Sequence, residues 1–156
     1  MTSTVDQNFE QLSYGGPTPS QHVGAGRKII GDAVATRTLL AKEAGSLCLM
    51  DRAAGVVYTL PVVTASNVGM FFDFMTTVTI TAAAAKTITG SAAQFILGTV
   101  FGYTTDATEI DGFIANGTTT GGVIGDCYRL TAISTTQWLI TGHVFCGTAT
   151  PATPFG

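Results

Sequence analysis

The chain has 156 residues, 46% of them hydrophobic and only 11% charged, with seven Lys and Arg against ten Asp and Glu for a net charge of -3. An average soluble domain carries about 25% charged residues. So apolar a composition excludes intrinsic disorder, seven scattered basic residues make no nucleic-acid patch, and apolar runs such as Phe95 to Phe101 are too short and too broken by Gly and Thr to span a membrane.

Residues 1–28 show no periodicity. They hold Phe9, Leu12, Tyr14, the Gly15-Gly16-Pro17-Thr18-Pro19 stretch and Gly24-Ala25-Gly26, and read as an extended N-terminal arm. Phe9, Leu12 and Tyr14 are the candidate partner-binding anchors of that arm. Its start is polar, with Asp6 and Glu10 and no apolar core, so it does not read as a secretory signal. Residues 29–146 read as the folded domain and 147–156 as a Thr- and Pro-containing tail.

Within the domain the dominant signal is alternation with period two, the mark of a half-buried strand. Val56, Tyr58 and Leu60 share one face. Thr77 to Thr81 alternates, which predicts Val78 and Ile80 inward and three Thr outward, and Thr87-Ile88-Thr89 repeats that phrase. Tyr128, Leu130 and Ala132 oppose Arg129 and Thr131, and Trp138 and Ile140 oppose Thr141. Met70 to Met75 is nearly continuous in hydrophobicity, as in a strand buried on both faces. Short links at 51–55 and 134–136 predict hairpins and antiparallel neighbours. The only helical candidates are 62–68 and the Ala82–Ala85 run. The pattern predicts an all-β fold, an antiparallel β-sandwich of jelly-roll type, with no fixed-period repeat that would point to a β-helix. Thr and Gly in place of surface charge favour a stable oligomer over a monomer.

The chemical inventory is thin. Cys48, Cys127 and Cys146 have neither disulfide-framework nor zinc spacing and read as reduced structural thiols. His22 lies in the arm and His143 at the end of a strand, with no nucleophile elbow nearby. Gly24-Ala25-Gly26-Arg27-Lys28 lacks the spacing of a phosphate loop. Asp106, Glu109 and Asp111 form an acidic loop whose spacing does not match an EF-hand, so it reads as a solvated tip that would bind calcium only if the carboxylates converge. Asn116-Gly117 reads as a turn rather than a glycosylation site. Catalytic residues, cofactors and metal ligands are all expected to be absent.

Three phrases carry a resemblance. Leu39 to Asp51 is followed by Val57-Tyr58-Thr59-Leu60-Pro61 and then by Asn67-Val68-Gly69-Met70-Phe71-Phe72-Asp73-Phe74. Over residues 38–142 this order resembles the small β-sandwich proteins that decorate or cement the heads of tailed bacteriophages, and domains of phage fibres. The resemblance implies a structural, non-enzymatic virion protein, made in the host cytoplasm. It implies a homotrimer on the outer capsid surface, near three-fold positions, whose partner is the major capsid protein and which binds neither nucleic acid nor membrane. The fibre alternative implies a trimeric receptor-binding domain that recognises a host glycan through Tyr103, Tyr128 or Trp138.

Overall fold

Eleven strands build two facing sheets in a computed structural model that describes residues 26–31, 34–81, 85–100, 103–104 and 112–146. The arm anchors Phe9, Leu12 and Tyr14, residue His22, the acidic loop at 106–111 and the tail all lie outside the described residues. The strands are β1 (Ile29–Ile30), β2 (Thr36–Thr38), β3 (Leu47–Met50), β4 (Val57–Thr59), β5 (Phe71–Thr76), β6 (Ala85–Ile88), β7 (Phe95–Val100), β8 (Tyr103–Thr104), β9 (Gly112–Ala115), β10 (Cys127–Ala132) and β11 (Gln137–His143). The large sheet runs β1-β3-β5-β10-β11-β7-β8 and the small one β2-β4-β6-β9.

The chain enters the fold as a coil. From β1 to β6 successive strands alternate between the large and the small sheet, so β1, β3 and β5 stack in parallel, as do β2, β4 and β6. Strand β9 then closes the small sheet antiparallel to β6, and the β10–β11 hairpin fills the gap between β5 and β7. The all-β expectation is met. The antiparallel, jelly-roll expectation is corrected, because five of the nine pairings among the described residues are parallel.

The cause lies at residues 51–55. Gly55, at a φ of 85°, donates its N–H to the Arg52 carbonyl and turns the chain, yet β3 and β4 go to different sheets. Alternation fixes only that Cys48 and Met50 share a core with Val56, Tyr58 and Leu60. Facing strands satisfy that as well as paired ones do. The Tyr58 hydroxyl ties the two layers, donating to the Leu49 carbonyl at 2.8 Å. The hairpin expected at 134–136 does form.

The core fills the space between the sheets. An aromatic column crosses it: Tyr58 meets Phe74 edge-on at 5.5 Å, Phe74 stacks on Tyr128 at 4.9 Å, and Tyr128 meets Phe113 at 4.6 Å. Gly142 pairs with Tyr128 across the ladder, and a Cβ there would stand 2.4 Å from the Tyr128 Cα. Trp138, Phe72, Leu130, Ile140 and Ile96 extend the core along the large sheet.

Three local expectations are corrected. Thr87 points inward, fully buried, where its hydroxyl and that of Tyr128 satisfy each other at 2.7 Å. Residues 77–81 form no strand: Thr77 and Val78 both donate to the Met50 carbonyl, which leaves Val78 exposed and only Ile80 buried. Strand β5 is buried on one face only, since Phe72 and Phe74 are inaccessible while Met75 is exposed on the other. The helical candidate at 62–68 is an irregular segment with a turn, and Ala85 opens β6. Among the described residues the helical content is one short 3-10 turn, Ala41–Glu43.

Candidate functional site

The register arranges the outward side chains of the large sheet in rows. The middle row reads Ile29, Leu47, Asp73, Arg129, Thr141 and Thr99 from β1 to β7. Beside it on one flank lie Leu49, Met75, Cys127 and His143, and on the other Phe71, Thr131, Leu139 and Leu97.

Asp73 is the hub of the middle row. Arg129 clasps it with two bonds, 2.6 Å from Nε and 2.8 Å from Nη2, while its guanidinium lies 4.4 Å from the Phe71 ring centre. Arg27 reaches the same carboxylate and also donates to the Gly45 and Ser46 carbonyls. The two arginines, Arg129 first, hold the Asp73 carboxyl below its ordinary range. A cavity of about 310 Å³ opens beside this cluster, lined by Arg27, Leu47, Asp73, Met75, Cys127 and Arg129 among others.

Glu43 anchors a second cluster. It is buried, yet accepts from Lys28 at 2.6 Å, Arg37 at 2.9 Å and the Leu40 backbone N–H at 3.0 Å. The Lys28 bond leads the groups that hold its carboxyl below the usual range, against the opposing effect of burial. Asp126 behaves in the opposite way. Burial raises its carboxyl even though the Gly122, Val123 and Phe145 N–H groups all donate to it.

These shifts fix an acid response. A carboxyl whose folded pKa is depressed stabilises the fold above its unfolded pKa, and that contribution is lost as the pH falls through the folded value. Glu43 and Asp73 have ordinary values of 4.5 and 3.8, so their contribution drains away in acid below about pH 4.5. Asp126, raised, contributes stability at the acid end that is lost as pH rises through its folded value, and so opposes the trend. The melting temperature of the wild type is therefore expected to fall on acidification from neutral pH to about pH 3, and Asp73→Asn to flatten that fall. Melting curves at stepped pH check this, and equal acid sensitivity in the two proteins contradicts it.

The structure sorts the sequence candidates. Trp138 is inaccessible and packs against Phe72, and Tyr128 lies in the aromatic column, so neither offers a glycan platform. Strands that alternate this cleanly turn their large aromatics inward. His143 ends β11 on the exposed face beside Cys127. Cys48 is buried, its thiol pushed up to about 12 by desolvation, whereas Cys127 is exposed and Cys146 half-buried, donating to the Thr119 carbonyl. Among the described residues no three His, Cys, Asp or Glu side chains converge as a metal site, and no helix is long and apolar enough to cross a membrane.

Sequence reasoning missed the Arg27–Asp73–Arg129 cluster. Its one visible signal is the single acid inside the apolar run Met70 to Met75, a position that requires a cationic partner. The partners stand 46 and 56 residues away. Comparison with family models, curated proteins and solved structures finds no match for the chain.

Proposed function

We propose that this chain is a structural subunit of a tailed-phage head, a cement or decoration protein. In this reading it sits as a homotrimer on the outer capsid surface and bridges neighbouring capsomers of the major capsid protein. The observation that carries the reading is the distribution of bare apolar side chains. Ile29 is 63% exposed, Ile124 62% and Phe145 58%, with Val62 and Leu40 about half exposed. They come from both ends of the domain and from several separate loops. Soluble monomers scatter small apolar patches, but large aliphatic and aromatic side chains this exposed, on a chain with 11% charge, are suited to contact with protein neighbours. The arm of residues 1–28, with Phe9, Leu12 and Tyr14 laced onto an adjoining capsomer, completes the proposal. An extended segment that adds a strand to a partner's sheet edge gains affinity from backbone bonds, and three arms on one trimer multiply it.

The experiment is co-sedimentation with heads of the parent virus that lack this protein. The full chain is expected to pellet with heads, and the chain without residues 1–25 to keep its fold and oligomeric state but stay in the supernatant. The cut leaves Arg27 and Lys28 in place because both bond the domain. A full chain that does not bind heads, or a truncated one that binds them equally well, overturns the reading.

A further inference from the structure

We infer that the outer face of the large sheet is a self-association surface, covered in solution by a second copy of this chain. The inference rests on the homo-oligomer part of the proposed function and locates its contact. Strand β5 is the starting point. Phe71, Phe72, Phe74 and Met75 place apolar side chains on both faces, and it pairs on both edges, yet only Phe72 and Phe74 are buried, while Phe71 is half-buried and Met75 exposed. A central strand of this composition suits a doubly covered sheet, and among the described residues no second layer covers its outer face.

The rest of the face agrees. Leu49 and Met75 flank the middle row on one side, and Phe71, Leu139 and Leu97 on the other. Met75 and Leu139 are 38% and 36% exposed. The charged groups in the middle, Asp73, Arg129 and Arg27, are already tied to one another. The cluster keeps one net positive charge, shared by two guanidiniums that are already hydrogen-bonded, so a covering protein is held mainly by the apolar contact and shape around it, as copies in an obligate interface are. The size also fits. Strands spaced about 4.8 Å apart, about 20 Å long in the six-residue centre but only two residues long at either edge, give the seven-stranded sheet roughly 500 Å² in plan before side-chain relief is added. A stable interface takes about 800 Å² of accessible surface from each partner. The small sheet, with four strands of three or four residues, falls well short.

Cys127 reports on this face without any substitution. It is exposed in the single subunit and lies in the row of Met75, whereas Cys48 is buried and Cys146 is half-buried. The test measures mass by sedimentation equilibrium and the rate of Cys127 labelling by a thiol reagent on the full chain, on Leu139→Lys, and on Thr38→Lys in the opposite, small sheet. The wild type and Thr38→Lys are expected to sediment as oligomers with Cys127 protected. Leu139→Lys is expected to associate at least about tenfold more weakly, as loss of a buried interface anchor does, and to label about tenfold faster. An oligomer that survives Leu139→Lys with Cys127 labelling unchanged overturns the inference and leaves the trimer intact. A monomeric wild type whose Cys127 becomes protected only on phage heads overturns it too, and assigns the face to the capsid instead. Loss of head binding alone, with association unchanged, counts against the proposed function and not against this face.

Discussion

Phe74→Ala is expected to lower stability by about 4 kcal/mol, the middle of the range for emptying a buried phenylalanine site. The ring is inaccessible and stands at the centre of the aromatic column, edge-on to Tyr58 and stacked on Tyr128. Tyr58 belongs to the small sheet and Tyr128 to the large one. Removing the ring therefore opens a cavity where the two layers meet, and loses two ring pairings worth about 0.5–1.5 kcal/mol each. The cavity closes poorly because both neighbours are pinned by hydroxyl bonds, Tyr58 to Leu49 and Tyr128 to Thr87. Thermal denaturation should show a drop of roughly 10–15 °C. A drop of only a degree or two would mean that the column is not a shared core.

Gly117→Ala should cost about 2–4 kcal/mol, in two separable parts. Gly117 has a φ of 75°, a left-handed conformation that costs an L-residue about 1–2 kcal/mol. Its added Cβ would also stand 1.7 Å from the Ile80 carbonyl oxygen, so backbone must move. The turn has little room to yield. The Asn116 side chain accepts from the Thr118, Thr119 and Thr120 N–H groups, and Gly117 itself donates to the Gly121 carbonyl. Gly69→Ala isolates the first part, since Gly69 has a φ of 93° but open space at its Cβ position. Urea denaturation of the two variants checks the difference: Gly117→Ala should be the less stable by at least about 1 kcal/mol. Equal losses would place the whole effect in backbone conformation.

What the sequence discloses here is the inside of the cleanly alternating strands. Val56, Tyr58 and Leu60, Tyr128, Leu130 and Ala132, and Trp138 with Ile140 all bury the face that alternation indicates. The Asn116-Gly117 turn was equally plain, because only a few residues favour that backbone. Connectivity was hidden. Leu47 follows its partner Ile29 by 18 residues and Asp73 follows Leu47 by 26, so the parallel coil has no constant period to detect. Thr87 was misread because a buried Thr looks like an exposed one until its partner, the Tyr128 hydroxyl 41 residues on, is known. Separations of 46 and 56 residues hid the Asp73 cluster in the same way. Strand β5 was misread as buried on both faces: its apolar residues do lie on both sides, but the described residues bury only one of them.

That uncovered side sharpens what the low charge means. The charged residues at the centre of the large sheet's outer face, Asp73, Arg27 and Arg129, bond one another, and Leu47, Leu49, Phe71, Met75, Leu97 and Leu139 stand around them among uncharged threonines. In the proposed function the protein is an assembly unit whose surfaces are completed by neighbours. The most direct measurement is a three-dimensional reconstruction of heads decorated with the full chain. It should show trimeric density on the outer surface at or near the three-fold positions, with the large sheets turned toward one another inside each trimer. Density confined to the tail or fibres, or single subunits that expose the large sheet to solvent, would contradict it.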